Sequence, residues 1–262
     1  MVGVEINILV MNEDSSRTAY EALRHLLRRM CQLLCPELQT QHVTFSPTPD
    51  ELEGCVRAGQ WQSANPRHRH QQVDLAQSIA SQIASDPGFV AFHYDGDCAW
   101  QDRTTCVHDL PFETNVRQRV RAILSNQAPS VTARRSTPRA IPADQIDEVM
   151  TKLLVLKPFY CLEAWTYQNF PRARAICEQL GNPPGSELLD DWEADPGLLD
   201  EVVGVPDVFP LEKHHNVALT ERGYPADRVY KLGKSFTASV DAALWCKPLV
   251  NALAKLSASA LS

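Results

Sequence analysis

Apolar residues bunch into four short runs along the chain, and between the runs they recur at helical spacing. The first run lies in residues 4–11, "VEINILVM", which alternates and then turns wholly apolar, the pattern of a largely buried strand. The segment after it, "NEDSSRTAYEALRHLLRRMCQLL", places Ala19, Leu23, Leu26, Leu27, Met30 and Leu34 on one helical face, with Asn12, Asp14, Ser15 and Ser16 all suited to the N-cap. Residues 43–45 predict a short second strand and "DELEGCVRAGQW" a short helix, while 62–72, polar and basic, reads as a surface loop. "VDLAQSIASQIAS" predicts a helix that Asp86-Pro87-Gly88 stops, and residues 89–94 a third strand. "FETNVRQRVRAILSN" is a further helix, and 127–143, rich in Pro, Ser, Thr and Arg, a loop or mobile segment. A short helix then leads into a fourth strand at 152–156, and "FYCLEAWTYQNF" predicts another helix. After it comes a turn-rich stretch, 181–197, and "SFTASVDAALWCKPLVNALAKLS" closes the chain as a helical tail.

Strands that alternate with helices predict an α/β fold with a mainly parallel sheet covered on both faces. The reading is an α/β core over 1–165 and a mainly helical C-terminal lobe over 166–262, packed on that core. Ligands of such sheets sit at the carboxyl ends of the strands. Three acidic sites fall near such ends or on the helix just after one: Glu13, the pair Asp95 and Asp97, and Glu163.

Composition narrows the picture. The 262 residues are 44% hydrophobic, enough for a substantial core, and the formal net charge is −7. An acidic chain binds nucleic acid only through a local basic patch or through metal ions. Its eight cysteines form no CxxC pair, which reads as the reduced thiols of a cytoplasmic protein. Neither a secretory leader nor a membrane span is expected.

Asp95 and Asp97 flank a single glycine. In an extended backbone both side chains point to one side, and two carboxylates a few ångströms apart repel unless a cation lies between them. A hard divalent ion such as Mg²⁺ takes oxygen ligands and keeps waters for phosphate oxygens. Cations for a phosphodiester backbone are on offer at Arg67 and Arg69, at Arg117, Arg119 and Arg121, and at Arg134, Arg135 and Arg139. "HRH" at 68–70 and His214-His215 lack cysteine or acidic partners at ligand spacing, so they read as surface histidines. Cys31 and Cys35 read as core thiols of the first helix, and most of the five tryptophans as core or interface residues.

The ordered set "INILVMNEDSSRTAYEALRHLL", "FVAFHYDGDCA" and "KPFYCLEAWTYQN" resembles the Toprim family. It is similar both to OLD-type nucleases, which work with ABC-class ATPases, and to small Toprim-like proteins of bacterial defence loci. The resemblance implies a Toprim-like Rossmannoid core and a nuclease or nuclease-like effector that depends on Mg²⁺ or Mn²⁺. Asp95, Asp97 and Glu163 would surround the metal, and Glu13 would be a ligand or the acid/base. Lys213 would stabilise charge in the transition state. The family usually carries Glu-Gly after its first strand. Here the sequence is Asn12-Glu13-Asp14, which leaves open which of the two acids acts. An ABC- or AAA-class ATPase partner is implied, because the chain itself has no GxxxxGK[ST] loop.

Two alternatives remain at this level. A nucleotide-sugar glycosyltransferase also carries a DxD after a buried strand. A non-catalytic interaction subunit would keep the fold with vestigial acids.

Overall fold

The computed structural model describes residues 6–38, 42–63, 65–96, 106–126, 141–201, 207–232 and 234–260. Four strands, β1 (Ile6–Asn12), β2 (Val43–Pro47), β3 (Gly88–His93) and β4 (Leu153–Leu156), form one all-parallel sheet in the order β2-β1-β3-β4. The chain therefore builds outward from β1 to β2, crosses back to β3 on the other side of β1, and continues to β4. The β1/β3 boundary is the place where the strand order reverses. In open α/β sheets the crevice at that reversal, beyond the carboxyl ends of the strands, is where ligands bind.

Period-two alternation sorts the strand residues onto two faces. Ile6, Ile8 and Val10 of β1 join Phe89 and Ala91 of β3 in one core, packed under helix α1 (Arg17–Leu34). Leu9 and Met11 join Val90 and Phe92 in the other core, under helix α2 (Pro66–Ala84). Ile6, Ile8 and Val10 are fully buried, and each contributes roughly 1.5–3 kcal/mol of hydrophobic stabilisation.

Helix α1 starts where Ser16 Oγ accepts from the Ala19 N–H at 3.2 Å, one of the N-caps the sequence offers. Helix α2 starts earlier than the polarity of 62–72 predicts. Asn65 Oδ1 accepts from the Arg67 N–H at 3.0 Å and Pro66 occupies the first helical turn, so the expected surface loop is helical from Pro66 onward. An Asn-Pro pair pre-sets a helix start regardless of how polar the following turns are. At the other end of α2, a Cβ on Gly88 would lie 2.0 Å from the Gln82 carbonyl oxygen, so only glycine lets β3 begin that close to the helix.

Short helices α3 (Asp109–Phe112), α4 (Gln118–Leu124) and α5 (Ile146–Met150) lead to β4, with a π turn over Glu113–Arg117 between the first two. Beyond β4 come α6 (Glu163–Thr166), α7 (Phe170–Gln179), α8 (Leu188–Ala194) and α9 (Gly197–Glu201). The stretch 181–197, expected as turns, thus contains α8, because Leu189 and Trp192 sit one helical turn apart and are both buried. Helices α10 (Asn216–Glu221), α11 (Ala226–Leu232), α12 (Lys234–Trp245) and α13 (Lys247–Ala260) end the chain.

The C-terminal helices pack into the sheet's own core. Val229, Phe236, Val240, Leu249 and Leu253 share one cluster with Leu23, Leu26 and Phe89. A smaller cluster around Tyr167, Phe170, Trp192 and Phe209 supports α7 and α8. Trp61, Trp165 and Trp192 are buried as expected, whereas Trp245 is 79% exposed. No helix among the described residues is long and apolar enough to cross a membrane.

Candidate functional site

Asn12 ends β1 and His93 ends β3, and the register makes them direct partners. They continue the stripe of Val10 and Ala91, so both side chains enter the α1 side of the sheet at its carboxyl edge. Both are buried polar residues, at 4% and 2% exposure. A buried polar group must find a hydrogen bond, and here Asn12 Oδ1 accepts from His93 Nδ1 at 2.7 Å. The Asn12 amide is fixed in turn, since its Nδ2 donates to the Asp14 carbonyl oxygen at 2.8 Å. Burial, with Asp14 opposing and Lys213 reinforcing, pushes the His93 pKa down to about 3, so its ring is neutral.

Around this pair lies a narrow crevice with a cavity volume of about 10 Å³, room for roughly one water. Asn12, Asp14, His93, Asp95, Glu163, Lys213 and Asn216 line it, with Ala19 and Leu162 as its apolar wall. It stands at the β1/β3 reversal point. Three of the acids and amines expected from the sequence, Asp95, Glu163 and Lys213, are therefore brought together from residues far apart in the chain. Asp97 lies outside the described residues.

Each wall residue is held by its own local structure. Glu163 opens α6 at 7% exposure, and its Oε1 accepts from Asn216 Nδ2 at 2.8 Å. Asn216 is itself steadied by Thr166, whose hydroxyl donates to Asn216 Oδ1 at 3.0 Å. Lys213 rides on a single 3₁₀ turn, Lys213–His215. Glu212 caps that turn, and His215 Nδ1 accepts from the Glu212 N–H at 3.0 Å. His215 is thus spent on holding Lys213 in place. Lys213 Nζ reaches Asp14 Oδ2 at 3.5 Å. Burial opposes its charge, but Glu163, Asp14 and Asp95 together hold its pKa above the ordinary value. Asp14 shows the complement. Partial burial would raise its pKa, yet the Ser16 N–H and hydroxyl and the Lys213 ammonium bring it below the usual carboxylate range. Burial, and the Glu163 and Asp95 carboxylates, push the nearby Cys161 thiol well up, so it stays protonated.

Glu13 occupies a different position. Its Oε1 accepts from the Ala58 N–H and its Oε2 from the Asp95 N–H, both at 3.0 Å. Its carboxylate clamps the turn after β3 to the 3₁₀ turn Ala58–Gln60 that precedes Trp61. Asp14, one residue on, faces the crevice.

The basic residues lie elsewhere. Arg67 and Arg69 are in the first turns of α2. Arg69 lines a second cleft together with Arg119, Gln72 and Trp61. Arg134, Arg135 and Arg139 lie outside the described residues.

Among the described residues, no group of three or more His, Cys, Asp or Glu side chains is close enough to hold one ion. The donor chemistry nevertheless fits a divalent cation of the kind bound by one or two carboxylates with waters completing its shell. His93 Nε2 is buried with no hydrogen-bond partner among the described residues. It stands 3.4 Å from Asp95 Oδ1, with Asp14 and Glu163 on the same crevice.

The sequence reading missed Asn12, His93 and Asn216. The first two carried a signal, since each is a polar residue at a core-facing position of a strand. Asn216 carried none, because it reaches Glu163 only through the packing of α10. Comparison of the chain with protein-family models, with characterised proteins and with solved structures found no match.

Proposed function

We propose that the chain is a metal-dependent nuclease or nuclease-like effector that hydrolyses nucleic-acid phosphodiesters with Mg²⁺ or Mn²⁺. The supporting observation is the convergence of Asp14, Asp95, Glu163 and Lys213 at the crevice where the strand order reverses. Asp95 and Glu163, with Asp97 two residues on, are the groups that would hold the ion. When bound, it would polarise a phosphoryl oxygen and make a water acidic enough to attack. Lys213, 3.5 Å from Asp14 and mostly exposed, offsets negative charge that grows on the phosphate. Asp14 faces the crevice and takes the acid role that the resemblance gives to Glu13, whose oxygens are held by backbone amides.

Phosphate contacts along the substrate come from Arg67 and Arg69, and from Arg134, Arg135 and Arg139. Binding therefore weakens as salt rises. The resemblance to Toprim-type defence proteins supports a cytoplasmic effector gated by an ABC- or AAA-class ATPase partner.

The test is incubation of the full chain with plasmid DNA and with RNA, in Mg²⁺ or Mn²⁺, with and without an ABC- or AAA-class ATPase partner. Cleavage by the wild type that is lost in Asp95→Ala supports the reading. Cleavage that survives chelation, or survives Asp95→Ala combined with Asp97→Ala, overturns it.

One observation favours a second reading, a non-catalytic interaction subunit: the Glu13 carboxylate is engaged by two backbone amides. A subunit of that kind gains no thermal stability from divalent metal, whereas a metal enzyme does so by mass action.

A further inference from the structure

We propose that His93 Nε2 and the Asp95 carboxylate share one divalent ion of the Mn²⁺ or Zn²⁺ kind, so that the crevice selects such metals over Mg²⁺. This rests on the metal-dependent reading above and adds a nitrogen ligand to it.

The inference starts from the Asn12 amide. The Asp14 carbonyl oxygen can only accept, so the group 2.8 Å from it must be the Asn12 NH₂. Asn12 Oδ1 then faces His93, and His93 Nδ1 must carry the proton that bridges them at 2.7 Å. With the proton placed on Nδ1, Nε2 is the ring nitrogen left to offer a lone pair to an ion.

That lone pair is buried in a residue only 2% exposed, with no hydrogen bond among the described residues, and Asp95 Oδ1 lies 3.4 Å from it. A lone pair facing a carboxylate oxygen is repulsive unless something positive lies between them. Histidines that bind metals are usually oriented by a hydrogen bond on the other ring nitrogen, which is the part Asn12 plays. Two ligands each about 2.1 Å from one ion, as in zinc sites, and set 3.4 Å apart subtend roughly a tetrahedral angle. An imidazole donor suits later transition ions such as Zn²⁺, and Mn²⁺, though at home with oxygen ligands, accepts it more readily than Mg²⁺ does. The competing occupant is a single proton shared by His93 and Asp95.

Pulsed electron paramagnetic resonance on the full chain, loaded with one equivalent of Mn²⁺, tests this. The expected result is a ¹⁴N coupling from a coordinated imidazole that disappears in His93→Gln. Calorimetry with Mn²⁺ and Mg²⁺ should show an Mn²⁺ preference of about tenfold or more in the wild type, lost in His93→Gln, with Asn12→Ala weakening Mn²⁺ binding by roughly tenfold through the freed ring. Bound Mn²⁺ with no ¹⁴N coupling overturns the His93 ligand and leaves the carboxylate metal site standing. A wild type that binds no Mn²⁺ overturns both, and leaves the shared proton as the occupant.

Discussion

Glu13 Oε2 accepts a hydrogen bond from the backbone N–H of Asp95 at 3.0 Å, while its other oxygen accepts from the N–H of Ala58. The acid that follows β1 thereby sets the start of the turn that carries Asp95. Replacing it leaves two partly buried N–H groups without their acceptors. Glu13→Ala is expected to cost about 1–3 kcal/mol of stability in urea unfolding, whether or not metal is present. A midpoint unchanged within error would show that the clamp contributes nothing.

Lys213 should behave in the opposite way. Its side chain is 67% exposed and its contact with Asp14 is long, so an exposed pair of this kind adds little to stability. Lys213→Met is expected to unfold within about 0.5 kcal/mol of wild type. In the same variant, phosphodiester cleavage should fall roughly a hundredfold, the scale seen when one preorganised charge is removed. Normal cleavage rates in Lys213→Met would exclude it from the site.

A pH dependence follows from Asp109, far from the proposed metal ligands in sequence. Lys157 Nζ donates to both of its oxygens at 2.7 and 2.8 Å, Tyr94 donates at 3.0 Å, and the Cys106 N–H at 3.1 Å. Partial burial would raise its pKa, but these partners, Lys157 foremost, hold it below the ordinary carboxylate value. The folded state therefore binds this proton less readily than the unfolded chain. The stabilisation is complete above the unfolded pKa of about 3.9 and is lost as pH falls through the lower folded value. Urea midpoints of wild type and Asp109→Asn should differ at pH 7 and converge toward pH 3. A gap that stays constant over that range would rule out the linkage.

Much of the sheet was legible from the pattern alone, and much of the site was not. The strands showed themselves because Ile8, Val10, Phe89 and Ala91 are apolar at period two, and such runs have few other uses. Helix α2 was misplaced at its start because Arg67, His68, Arg69 and His70 look like loop, although the Asn65-Pro66 cap outweighs their polarity. Asp95, Glu163 and Lys213 were visible as charged residues near strand ends or in a later turn. Their meeting was not visible, since it depends on α6 and on the turn at Lys213 packing back over β1. Glu13 and Asp14 could not be told apart, because a one-residue difference in direction is set by the turn after β1 and by Ala58, 45 positions away.

The C-terminal helices should not be separable from the sheet. Phe236 and Leu249 lie in the same cluster as Leu23 and Phe89. Phe236, fully buried against Trp165 and Tyr224, is expected to cost about 3–5 kcal/mol on replacement by alanine. Urea unfolding of that variant and of the wild type, followed by tryptophan fluorescence and by circular dichroism, should give one coincident transition. Two resolved transitions would mean that the helices fold as a unit of their own.

The most direct test is an anomalous difference map from a crystal soaked in Mn²⁺. The expected result is one strong peak in the crevice at the β1/β3 edge, about 2–2.5 Å from an Asp95 carboxylate oxygen and on the side of the crevice that Glu163 and Asp14 face. A map with no peak there, while Asp95 and Glu163 remain bonded only to protein groups, would contradict a cation site at this edge of the sheet.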